Sequence, residues 1–160
     1  MKKILLIICA IVFAIFVSLA SLRLHKSANR PLLASLLTNE IKQDVKSQTK
    51  GMSEAEIVNY AISRTAQEYK FSRKTNCMHY ARLCSDICNY SFTLNGYKSK
   101  AHPVVGYVTC WGIDVCKLLY GITHDTFVKD HDFTEVNLQD RTIFVDASAY
   151  DLIYTKCWTE

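Results

Sequence analysis

A chain of 160 residues with 49% hydrophobic and 21% charged residues has room for one domain with a buried core, and this composition excludes a globally disordered protein. Two of its four net positive charges come from Lys2 and Lys3 at the extreme N-terminus. No Lys/Arg run sits beside exposed aromatics in the body of the chain, so the sequence gives no support for nucleic-acid binding.

Ile4 to Leu22 carries no charged residue and follows Met1-Lys2-Lys3, the pattern of an export signal or a membrane anchor. Residues 1–22 are therefore expected to form an apolar helix outside the fold, a signal peptide or a transmembrane anchor. Ser18-Leu19-Ala20 offers small residues where a signal peptidase cuts, and flanking charges on both sides leave the orientation of an anchor open. Either outcome implies an exported or membrane-anchored protein of the cell envelope.

Residues 23–52 read as an amphipathic linker helix. Pro31 suits a first helical turn, and Leu33, Leu36, Leu37, Ile41 and Val45 follow at spacings of three to four. Polar Ser47 to Lys50 and then Gly51 end it. The remaining residues, 53–160, are expected to form the main folded domain. Ser53 with Glu56 makes a capping box for a second helix, whose inner face takes Ile57, Ala61 and Ala66 with Tyr60 and Tyr69.

Thr75 or Asn76 can cap a third helix, with Cys77 in its first turn. The helix dipole and free N–H groups at that position favour a thiolate and could receive the oxyanion of a tetrahedral intermediate. Cys77, Ala81, Cys84 and Cys88 share one stripe of this helix. Cys84 and Cys88 read as small core residues, whereas Cys77 stands where the stripe can open into a cleft.

Asn95-Gly96 marks a turn, and Ala101 to Cys110 reads as a strand. Trp111 to Asp130 predicts at most a hairpin or a short helix around Val115 to Tyr120. Two further strands follow, roughly 131–137 and 141–147. A loop at Leu138-Gln139, the favoured register, sets His131 directly opposite Asp146, and the reverse face carries Val136, Ile143, Val145 and Ala147, an apolar set. A turn shifted to Gln139-Asp140 keeps His131 and Asp146 on one face as diagonal neighbours.

A thiol, an imidazole and a carboxylate in this order suit nucleophilic catalysis, because a thiol attacks carbonyls as thiolate, needs a base, and the base needs a group to hold its ring. His79 lies two residues after Cys77, so on a helix it points away from it. His102 and His124 read as surface residues, and His25 as interfacial. Five cysteines remain beside Cys9 and Cys77. In an exported protein Cys110 with Cys116, or Cys157 with either, could form a disulfide. Paired Cys-x-x-Cys units are missing, so neither a structural metal nor a cofactor is expected.

These residues carry a resemblance. From about Lys74 to Asp151 the chain resembles the transglutaminase-like core, a branch of the papain-like cysteine-hydrolase superfamily. Val104-Val105-Gly106-Tyr107-Val108 is similar to the Val-x-Gly-Tyr strand of that family. His131-x-Phe133-x-Glu135-Val136 resembles its His-Ala-Trp-x-Glu-Val pattern, with Asp132 and Phe133 substituted. Phe144-Val145-Asp146-Ala147-Ser148 resembles its aromatic-Val-Asp-Pro-Thr pattern. The resemblance implies an α+β fold with N-terminal helices packed on a small antiparallel sheet. It implies Cys77 as nucleophile, His131 as general acid/base and Asp146 as its orienter.

The function expected is acyl transfer from a protein or peptide substrate through a thioester, ending in hydrolysis. The alternatives are transfer to an amine, as in a cross-linking transglutaminase, and a non-catalytic binding module on the same fold.

Overall fold

The computed structural model describes residues 21–31, 33–70, 76–114, 131–153 and 157–158. The expected N-terminal helix, up to residue 20, and the expected element around Val115 to Tyr120 lie outside the described residues. Among the described residues, no helix is long and apolar enough to cross a membrane.

Local capping chemistry sets the helix starts. Ser53 and Glu56 form the reciprocal capping box that opens α2 (Glu54–Tyr69). The Asn76 side chain accepts from the His79 N–H and opens α3 (Cys77–Leu94). The first helix, α1 (Asn39–Gln48), is capped by Thr38, whose hydroxyl accepts from the Ile41 N–H.

The helix expected from Pro31 thus begins eight residues later. The physical reason lies in α3, whose side chains bind the preceding segment in a non-helical form. Asp86 accepts from the Leu36 N–H at 2.7 Å, and Arg82 donates to the Ala34 carbonyl at 2.7 Å. Ile41 and Val45 are buried in the main core, so the apolar spacing identified the helix while the cap fixed its start.

Leu22–Asn29 forms strand β1 instead of the end of an address followed by a linker. It pairs antiparallel with β2 (Lys100–Cys110), with a bulge between Lys26 and Ala28. Then follow β3 (Ile113–Asp114), β4 (His131–Asn137), β5 (Thr142–Val145), α4 (Ala147–Ile153) and β6 (Cys157–Trp158). The sheet order is β1-β2-β4-β5-β6, with β3 on the end of β2, and every pairing is antiparallel. The architecture is α+β, helices packed on a curled antiparallel sheet.

Two apolar layers hold it together. Ile57, Ala61 and Ile62 of α2, with Leu83, Cys84, Ile87 and Cys88 of α3, pack on Val136, Ile143 and Val145 of the sheet. Leu24, Val104, Phe133 and Phe144 fill the reverse face. Full burial of each large side chain contributes about 1.5–3 kcal/mol relative to exposure. The two layers explain why β4 and β5 are apolar on both sides around the polar site residues at their ends.

The register between β4 and β5 differs from the preferred expectation. Thr134 opposes Val145 and Val136 opposes Ile143, so His131 and Asp146 are diagonal neighbours on one face. Leu138 decides it. Its side chain packs against the main core and its N–H donates to the Arg141 carbonyl at 2.8 Å, which closes the hairpin just beyond Asn137 and leaves exposed Gln139 and Asp140 to turn. Val136, Ile143, Val145 and Ala147 still share the buried core.

Candidate active site

The fold brings together all three residues singled out in the sequence. Cys77 is the first residue of α3, His131 the first of β4, and Asp146 follows the last residue of β5. Each thus sits where a regular element begins or ends.

Asp146 is almost fully buried and serves both the His131 ring and the start of α4. Its Oδ2 lies 2.5 Å from His131 Nε2. Its Oδ1 accepts from the Ser148 N–H at 2.9 Å, the Ser148 hydroxyl at 2.6 Å and the Ala149 N–H at 3.0 Å, capping α4. Burial alone would raise its pKa, but the charge and hydrogen bond of His131, with Ser148 and Ala149, outweigh it and hold the carboxyl below its ordinary range. Ser148 is thus a supporting residue that sequence reading placed in the motif without a role. The signal was available in the Asp-Ala-Ser order, which fits a helix cap.

His131 is the complementary case. Desolvation pulls its pKa down, yet the charge and hydrogen bond of Asp146, joined by those of Cys77, raise it well above the ordinary 6.5. The ring therefore interacts with both the carboxylate and the thiol, and its side chain keeps 21% of its exposure. With Nε2 turned to Asp146, Nδ1 is the ring atom left for the thiol.

A fourth side chain enters that the sequence did not single out as functional. Strand alternation turns Asp132 with Thr134 and Val136 to the helix side, and Thr134 Oγ1 fixes the packing by donating to the Ala81 carbonyl at 3.0 Å. One turn earlier on α3, Cys77 Sγ donates to Asp132 Oδ2 at 3.6 Å. Arg30, just beyond β1, clamps the same carboxylate from Nε at 2.5 Å and Nη2 at 3.2 Å. Asp132 is 5% exposed.

The remaining candidates take other roles. The His79 ring lies 2.8 Å from the Asn76 side chain, and His25 stacks on Tyr107 and bonds Thr109. Cys84 and Cys88 are buried in the core, where a hydrogen bond with Cys84, then burial, push the Cys88 thiol up. Cys110 lies 3.2 Å from Ser21 Oγ, and Cys116 and His124 are outside the described residues. Among the described residues, no group of three or more His, Cys, Asp or Glu side chains could hold a metal ion.

Gly106 explains its own place in the sequence. It pairs with His131 across the β2–β4 ladder, and a Cβ there would lie 1.8 Å from the His25 carbonyl oxygen of β1. Only glycine lets the bulged β1 pass this close to β2, which in turn pairs with the strand carrying His131.

No family model, curated protein or solved structure matches this chain.

Proposed function

We propose that the chain is a cysteine acyl-transfer enzyme with a transglutaminase-like, papain-like core, hydrolysing amide bonds in a protein or peptide substrate. The observation that carries this reading is the Asp146–His131 pair at 2.5 Å, with the His131 ring also interacting with a cysteine at a helix start.

In this reading Cys77 passes its proton to His131, and the thiolate attacks the amide carbonyl carbon. A C–S bond forms and the carbonyl electron pair moves onto oxygen. The His79 N–H is already taken by Asn76, so the N–H groups of Cys77 and Met78 in the first turn of α3 are the donors assigned to that oxygen. Collapse expels the amine with the proton from His131. Water, deprotonated by His131, then attacks the thioester and releases the acid and the free thiol. Asp146 holds the ring and offsets its charge throughout. The cycle draws on the chain's own groups and water. The apolar run that begins at Ile4 exports the domain or tethers it to a membrane, and β1 follows it in the chain.

The test is intact-mass analysis of the full-length chain with p-nitrophenyl acetate. The expected result is an acetyl adduct on Cys77 that decays to acetate, and no such adduct in Cys77→Ala. Formation of acetyl-putrescine at the expense of acetate when putrescine is added would reassign the acceptor to an amine. Absence of any adduct on Cys77 would leave a binding module.

A further inference from the structure

We propose that Asp132, held by Arg30, is a positioning residue of this site: it fixes the Cys77 thiol, and the balance of its charge against that of Arg30 sets the pH range in which the thiol reacts. The inference rests on the reading of Cys77 as nucleophile and adds to it a pair of residues outside the Cys-His-Asp set.

The geometry is specific. Asp132 Oδ2 is shared between Cys77 Sγ at 3.6 Å and Arg30 Nη2 at 3.2 Å, while Oδ1 takes Arg30 Nε at 2.5 Å. A carboxylate so close to a thiolate would disfavour it by like-charge repulsion, and a guanidinium bound to that carboxylate in a fork offsets the repulsion. Asp132 therefore gives the resting thiol a hydrogen-bond acceptor and a fixed direction. Arg30 keeps the site near neutral when the proton leaves for His131. Among the described residues, other ionisable side chains on these elements are bound elsewhere: Asp146 to His131, His79 to Asn76, and Asp151 to the Tyr80 hydroxyl.

Arg30 also couples the site to the start of the domain. It follows β1 directly, and its N–H donates to the Pro103 carbonyl of β2 at 3.1 Å. Displacement of β1 from β2 would carry the guanidinium away from Asp132 and leave the carboxylate facing the thiol uncompensated.

The experiment is the pH profile of iodoacetamide alkylation of Cys77 in the full-length chain, followed on the Cys77 peptide by mass spectrometry. Asp132→Asn is expected to move the acid limb to lower pH by about one unit, and Arg30→Met to move it about as far to higher pH. The double variant is expected to return near wild type. Arg30→Lys, which keeps the charge and loses the fork, is expected to stay within about half a unit of wild type and covers misfolding of Arg30→Met. Shifts in the same direction, or none, with alkylation still dependent on His131, would overturn the role of Asp132 and leave the catalytic reading standing. Alkylation of wild type that is indifferent to His131→Ala would remove both.

Discussion

Asp146 divides one carboxylate between His131 and the start of α4: Oδ2 lies 2.5 Å from His131 Nε2, while Oδ1 accepts from Ser148 and the Ala149 N–H. The His131 ring is therefore oriented by a group that is itself fixed by a helix cap. A carboxylate held by only one of these contacts would be free to rotate. Asp146→Asn keeps the shape and removes the charge. Hydrolysis is expected to fall about 10²-fold, and the alkaline limb of the rate profile to move to lower pH, because the charge that raises His131 is gone. A steady-state pH series checks both.

The same pair makes stability depend on pH in a defined direction. The folded-state pKa of His131 is raised above 6.5, so its contribution is fully present below about pH 6.5 and lost as pH rises through the folded value. That of Asp146 is lowered below 3.8, so its contribution is present above about pH 3.8 and lost as pH falls through the folded value. Thermal unfolding should give the pair its full effect between these limits. His131→Ala should lack the alkaline decline.

Gly106→Ala is expected to destabilise the protein by about 1–3 kcal/mol or more, because the added methyl meets the His25 carbonyl, a backbone atom, at 1.8 Å. Since Gly106 pairs with His131 in the ladder, activity should fall further than the folded fraction. Urea titration beside the rate measurement separates the two.

Asn76→Ala removes the side chain that accepts from the His79 N–H. The expected cost is about 1 kcal/mol, read by chemical denaturation. Fraying of the first turn of α3 should also slow alkylation of Cys77 in the remaining folded protein.

Helices α2 and α3 were legible because their caps are local: Ser53 with Glu56, and Asn76 before Cys77. The proximity of Cys77, His131 and Asp146 was legible because each lies at an element end with its own flanking pattern. Strand β1 was not. Leu24 is its one buried residue, so Leu22–Asn29 has no alternation to read, and backbone pairing with β2 holds it in place. It also follows the apolar run, whose tail its leucines resemble. Both hairpin registers satisfied the pattern of β4 and β5, and the packing of Leu138, a tertiary contact, chose between them. Arg30 and Asp132 lie 102 residues apart, and no local rule joins them.

The most direct test of the account is the rate of Cys77 alkylation near neutral pH in the full-length chain, wild type against His131→Ala. Wild type is expected to react at least about ten-fold faster, since in the proposed mechanism the thiolate forms by proton transfer to His131. Equal rates in the two proteins would contradict it.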